Sequence, residues 1–294
     1  MPKLSVIILS YNTKDITYNC LQTLVSSLSK ASFTSEIFIV DNASEDASQE
    51  MIVQFKQKHS SKKISINSIL NVQNEGFPKG NNQALHNAMG KYILFLNSDV
   101  IIEKMNWDKL MQFAESKKKL GALTVRVELP SKQIDPASHR GFPTVWNSFC
   151  YFAQLEKITK HIPSLQKLFG GYHLTHLDPS TIHEIDSPSG AFYFSPKKVL
   201  DAMKGFDESF FMYGEDLDLS YRIKAEGLQI FYYPKEMVTH LKYQSGIKNK
   251  KALKQTRRHF YDSMLIFYKK HYGGTNSWLI DQLVFFFIRL KSRL

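Results

Sequence analysis

The sequence predicts an α/β protein built on a mostly parallel central sheet, and three features carry that prediction. Short apolar, β-branched runs recur between segments of helical pattern, the runs are apolar at successive positions, and polar clusters stand where they end. Strands covered by helices on both faces read this way, and ligands of such sheets gather outside the carboxyl ends of the strands.

The predicted strands are Leu4 to Leu9, Glu36 to Val40, Ile64 to Leu70 and Tyr92 to Leu96. Between them, Asp15 to Leu28, Ser44 to Lys58 and Lys79 to Met89 read as helices, the second opened by a capping Ser and the third closed by Gly90. Strand then helix, repeated, gives a parallel order. The polar clusters Ser10-Tyr11-Asn12, Asp41-Asn42 and Asn97-Ser98-Asp99 then converge on one crevice. From Pro130 to Asp186 several prolines break the pattern, leaving an excursion in which Val145 to Lys160 can hold a helix. Regular signals return with a strand at Gly190 to Ser195, helices at Pro196 to Met203 and Glu215 to Glu226, and a short strand at Gln229 to Tyr233.

With 294 residues, 43% hydrophobic and 22% charged, the chain is neither a disulfide miniprotein nor a disordered or multispanning one. Its net charge of +11 is uneven: residues 241–294 carry +10, the rest +1. The basic character therefore belongs to a tail that meets an anionic surface, which argues against a nucleic-acid-binding domain. Cys20 and Cys150 have no metal-ligand spacing and read as free thiols of a reducing compartment. The N-terminus lacks the features of a signal peptide, and Leu283 to Ile288, the most apolar run, falls short of the roughly 18 residues a spanning helix needs.

Ser10-Tyr11-Asn12, Asp41-Asn42-Ala43-Ser44, Asn74-Glu75-Gly76-Phe77 with Gly80-Asn81-Asn82, Asn97-Ser98-Asp99, Gly205-Phe206-Asp207-Glu208 and Gly214-Glu215-Asp216 follow one another at a spacing that resembles family 2 glycosyltransferases, particularly the rhamnosyltransferase-like branch. The resemblance runs from residue 4 to about 246 and implies the GT-A nucleotide-diphospho-sugar transferase fold. It divides the chain into a catalytic domain, 1–246, with a nucleotide-binding half to residue 100 and an acceptor-binding half beyond, and a basic amphipathic helical tail, 247–294.

Physical reasoning and resemblance together assign the site. A nucleotide base can stack on Tyr11 and offer its imide N–H to Asp41, although Asp41 equally suits a turn or helix cap. Asp99 is the carboxylate for Mg2+ or Mn2+, hard cations that prefer oxygen. The usual pair of acids is reduced here to Asn97-Ser98-Asp99. His240 matches a position at which some relatives supply an imidazole to the metal. The Gly76 loop, with Lys79 and Asn82, precedes a helix whose free N–H groups suit phosphate or sugar; Lys79 is either a cation for the diphosphate or a solvated helix-end lysine. By resemblance Asp216 is the base and Glu215 binds the acceptor or orients Asp216, while Asp218 is read as a first-turn acid favouring the helix dipole. Asp186 and Gly190 lie where relatives carry Asp-Trp and a Gly-Ala turn at the sugar, with Ser187 replacing the tryptophan.

The resulting expectation is an inverting transferase using dTDP-rhamnose, or else a UDP-sugar, to glycosylate a glycan or lipid-linked saccharide. A nucleotidyltransferase would need a glycine-rich basic loop after the first strand, where this chain has Ser10-Tyr11-Asn12. Lys248 to Lys270 and Trp278 to Leu294 mix cationic and apolar residues, which predicts a cytoplasmic protein held at the inner face of the membrane. Packing of the tail on the catalytic domain and homo-oligomerisation through Val284 to Ile288 are the alternatives.

Overall fold

The computed structural model describes residues 1–159, 162–242 and 250–293. One sheet organises the catalytic region, in the order β3-β2-β1-β4-β8-β6-β9-β5, with β7 added beside β9. Its first four strands, β1 (Leu4–Ser10), β2 (Ser35–Asp41), β3 (Ile64–Leu70) and β4 (Tyr92–Asn97), are parallel as predicted. The sheet then becomes mixed, because β8 (Phe192–Pro196) runs antiparallel to both β4 and β6 (Leu120–Glu128). The β4–β8 pairing carries the sheet across the expected seam at residue 100.

Helices α1 (Lys14–Leu28), α2 (Ser48–His59) and α4 (Trp107–Ser116) cover one face over Leu4, Val6 and Ile8; α3 (Phe77–Asn87), α8 (Lys197–Met203) and α9 (Glu215–Ala225) cover the other over Ile7, Val40 and Phe95. Side chains of a strand alternate between faces, so a run apolar throughout feeds both cores.

Several predicted boundaries move for local reasons. Helix α2 begins at Ser48 rather than Ser44, because Asp41 captures Ser44 and Asp46 accepts from the N–H groups of Lys14 and Ser48. The helix expected over Val145 to Lys160 breaks at Gln154, with φ 58°, into α5 (Val145–Phe152) and α6 (Leu155–Ile158), followed by α7 (Pro163–Phe169); Lys160 lies outside the described residues. The last strand, β9 (Gln229–His240), is more than twice its expected length, tolerating Pro234 at a register shift against β6. It also collects two short antiparallel strands, β5 (Val100–Ile101) and β7 (His183–Glu184).

The tail forms α10 (Lys250–His271) and α11 (Trp278–Arg293). Helix α10 packs on the catalytic region: Phe267 joins Phe210 and Leu217 in a small core, and Ser263 Oγ donates to Met212 O at 2.8 Å. Asp218 fastens the contact, accepting from Lys270 Nζ at 2.7 Å, His271 Nε2 at 2.8 Å and Arg222 Nε at 2.8 Å. Burial opposes the charge of Asp218, but the hydrogen bonds from His271, Lys270 and Arg222 outweigh it and hold its pKa down at about 2. Asp218 is thus the tail's anchor, a role larger than the helix-dipole acid expected. The predicted tail boundary at 246/247, and Lys248, lie outside the described residues.

Candidate active site

Loops at the carboxyl ends of β1, β2 and β3 are sewn together. Asn12, at φ 55°, donates its N–H to Ser44 Oγ and accepts from Glu45 N–H through Oδ1, both at 2.8 Å. Buried Asp41 closes the same loop, accepting from Ser44 N–H, Ser44 Oγ–H and Gln49 Nε2 at 2.8, 2.6 and 3.0 Å. Asp41 thus serves the turn, which uses three of about four acceptor positions of a carboxylate and leaves one. Beside it Tyr11 stands 37% exposed, whereas Ser10 faces inward and shares its hydroxyl with Thr13 and Thr17.

Asn42 ties β2 to the Gly76 loop, donating to Asn74 Oδ1 and Gly76 O at 3.1 and 3.0 Å. Gly76 has φ 82°, and a Cβ there would lie 2.7 Å from Phe211 O, so glycine is what lets the loop before α9 close against it. Phe77 N–H seals that contact, donating to Phe211 O at 2.8 Å. Gly190 closes in on Phe77 and Asn97, whose ring and Oδ1 would lie 3.0 and 3.5 Å from an added Cβ.

Three predicted donor-side residues act as braces. Asn82 spends its amide on Phe206 and Glu208, Asp186 accepts from Lys224 Nζ at 2.6 Å and Phe142 N–H at 3.1 Å, and Lys79 pairs with Glu75 at 2.6 Å. The Lys79–Glu75 pair spans one turn at the start of α3, with the lysine half exposed.

Past Asn97, which ends β4, Ser98 turns the chain into Asp99, and the pairing of Val100 with His240 brings β5 against β9. His240 Nε2 lies 3.1 Å from Asp99 Oδ1, while Nδ1 donates to Asp135 Oδ2 at 2.7 Å. Burial disfavours the imidazolium, but the two carboxylates outweigh burial and raise its pKa to about 9. Asp135 is in turn held by Lys242 Nζ at 2.7 Å and Ala137 N–H at 3.1 Å. This donor set fits a divalent cation. Two ligands at right angles on Mg2+ stand roughly 3 Å apart, and a carboxylate behind the ligating histidine fixes ring and tautomer. Asp99 and His240 would hold such a cation, which would supply positive charge beside a diphosphate.

The acids open α9. Gly214, with φ 79°, turns the chain so that Glu215 and Asp216 point inward, 5% and 8% exposed. Burial, then the neighbouring Asp216, push the Glu215 pKa up to about 8, and its Oε2 has no hydrogen-bond partner among the described residues. Asp216 Oδ2 accepts from Arg140 Nη2 at 2.6 Å, and the same nitrogen reaches Pro188 O at 3.2 Å.

Asp135 backs His240 and Arg140 faces Asp216, so a stretch of five residues, at most about 18 Å of chain, joins the two arrangements. The Gly76–Phe211 contact likewise ties the Asp41 loop to the start of α9. A cavity of about 600 Å³ near Met89, Lys91, Glu115 and Lys197 lies at the amino end of β4, away from these groups.

Residues 2–262 match the family described as glycosyltransferase-like family 2. The chain belongs to that family. Among curated relatives it is 27% identical over 284 residues to the uncharacterized glycosyltransferase YfnE of Bacillus subtilis, covering 84% of this chain and 67% of that one. It is 25% identical to the rhamnosyltransferase WbbL of Escherichia coli, over 54% of this chain and 58% of WbbL. A third relative, a poly(ribitol-phosphate) beta-glucosyltransferase of Bacillus spizizenii, matches at 36% identity over 33% of this chain, and the match spans only 15% of the relative's length. Its fold is that of the GT-A glycosyltransferases. TarS 1–349 of S. aureus in complex with UDP-GlcNAc superposes with TM-score 0.59 at 18% identity, over 90% of this chain and 65% of that one. The mannosyltransferase PcManGT of Pyrobaculum calidifontis, in complex with GDP-Man and Mn2+, does so with TM-score 0.58 at 14% identity, over 92% and 64%.

Within this family 2 chain, Asp135 and Arg140 are the site residues that sequence reasoning missed. Asp135 carried a faint signal, an acid before Pro136 in a broken stretch; Arg140 carried none. Asp135→Ala is expected to lower Mn2+ affinity in the presence of UDP by about 10- to 100-fold, since the imidazole loses its orienting partner. Electron paramagnetic resonance of free Mn2+ measures this, and an unchanged affinity removes Asp135 from the site.

Proposed function

We propose that this chain is an inverting glycosyltransferase that moves a sugar from a nucleoside diphosphate to a hydroxyl of a glycan or lipid-linked saccharide in cell-surface polysaccharide synthesis. The observation that carries the proposal is the Asp99–His240 pair, two donors 3.1 Å apart and backed by Asp135. The names of the relatives support it: a rhamnosyltransferase and a poly(ribitol-phosphate) glucosyltransferase in sequence, and complexes with UDP-GlcNAc or GDP-Man and Mn2+ in structure. Rhamnose from dTDP-rhamnose is the first donor to test and a UDP-sugar the second.

In this reading Tyr11 stacks the base and Asp41 accepts its imide N–H. Asp99 and His240 hold Mg2+ or Mn2+, which when bound neutralises charge on the departing diphosphate. Asp216 accepts the proton of the acceptor hydroxyl as its oxygen attacks the anomeric carbon, and one positioned base suits a single inverting displacement. Arg140 fixes the orientation of that carboxylate. Glu215, neutral near pH 7, donates a hydrogen bond to the acceptor. The enzyme works in the cytoplasm at the inner face of the membrane.

Thermal shift with dTDP-rhamnose, UDP-glucose, UDP-GlcNAc and GDP-mannose, with and without Mn2+, tests the reading. One donor is expected to stabilise the protein in a Mn2+-dependent manner, and Asp99→Ala to abolish that dependence. If no donor stabilises the protein, the transferase reading fails; if the dependence survives Asp99→Ala, the metal lies elsewhere.

A further inference from the structure

The two tail helices differ in what they touch. Helix α10 is committed to the catalytic region through Ser263, Phe267, Lys270 and His271. Helix α11 rests on α10 by one side, where Asp281 accepts from Tyr268 OH at 2.7 Å and Phe285 packs edge-on to the Tyr268 ring. Its other side has no such cover among the described residues. Leu279, Leu283, Phe286 and Leu290 recur at steps of four, three and four and are 41–61% exposed, with Trp278 and Phe287 beside them at 74% and 57%. A stripe at helical spacing that faces water is a contact surface waiting for an apolar partner.

We propose that this outer face of α11 lies in the surface of an anionic bilayer. The inference deepens the proposed function by naming the surface that meets the membrane, and the surface itself does not depend on the transferase reading. Charge selects the occupant. Arg289 and Lys291 are exposed beside the stripe, and the single acid of α11, Asp281, is turned inward onto Tyr268. A second copy docking through the same patch would bring cations together with no α11 acid to meet them. Lipid phosphates supply the missing anions while the stripe enters the acyl boundary. No helix among the described residues is long and apolar enough to cross a membrane, so α11 lies along the interface. Asp218, which grips α10 two residues after Asp216, ties the hairpin to the helix that carries the acids.

Sedimentation of the full chain with phosphatidylcholine vesicles, with and without phosphatidylglycerol, tests this. Wild type is expected to sediment with the anionic vesicles and to be released by salt. The double variant Leu283→Glu with Phe286→Glu should lose about tenfold or more of that binding. A thermal melt checks its folding, and Phe149→Glu, at an exposed position of α5, should bind like wild type. The proposal is overturned if wild type stays in solution, if the α11 variant binds as well as wild type, or if light scattering shows a dimer that the variant splits. Vesicle binding by a protein that recognises no nucleotide sugar would sink the transferase reading and leave this surface standing.

Discussion

Asp216→Asn is expected to lower turnover by about 10²- to 10⁴-fold, the usual loss when a positioned general base is removed, while stabilisation by the donor persists. An amide cannot take the acceptor's proton, yet it keeps the shape of the carboxylate and one oxygen able to accept from Arg140 Nη2. Arg140 is buried and its Nε lacks a partner among the described residues, so its compensation comes through Asp216, Tyr172 and Pro188 O. Asp216→Ala would leave a buried guanidinium poorly answered, a change of about 3–5 kcal/mol that confounds chemistry with unfolding. The informative comparison is therefore Asn against wild type, with kcat followed beside donor-induced thermal shift. A loss confined to kcat places Asp216 at the proton transfer; unchanged turnover assigns the base elsewhere, and a lost thermal shift makes Asp216 a donor ligand.

The sequence was most legible where one residue type serves one local purpose. Strands β1 to β4 announced themselves because burial on both faces demands uninterrupted apolar runs, and the polar tips followed from where those runs stop. Helix α4 and strand β6 went unassigned; in β6 the run ends in Val125-Arg126-Val127-Glu128, alternating because Arg126 pairs with Glu128 along the strand. Asp135 and Arg140 were hidden for another reason. Their partners lie 105 and 76 residues away, and no local pattern encodes a contact made only by the folded sheet. Asp41, Asn82 and Asp186 show the converse: polar residues in a recognisable motif spend much of their hydrogen-bonding capacity on the loops that carry it. Asp218, read as a helix-dipole acid, could be seen as the tail's anchor only once α10 lay against α9.

Glu215→Gln is expected to stabilise the protein increasingly as pH rises. The Glu215 pKa is raised from 4.5 to about 8 by burial first and by the adjacent Asp216 second, with Asp218 adding in the same direction and Arg140 opposing. For a raised pKa the folded state holds the proton that the unfolded chain releases, so the stability tied to neutral Glu215 is complete below about 4.5 and lost as pH passes about 8. Glutamine mimics the protonated side chain and cannot ionise, so the difference between variant and wild type should grow by about 1.4 kcal/mol per pH unit across that window and then level off. Other groups titrate nearby: His240 loses stability upward through about 9, and buried His139, lowered to about 4, loses it as pH falls. Subtracting the two proteins removes what they share, so the slope of the difference belongs to Glu215 and the Asp216 carboxyl coupled to it. Urea midpoints in EDTA from pH 4 to 9 give it directly. A difference independent of pH would mean that Glu215 is ionised in the folded protein and would end its role as the neutral donor beside the base.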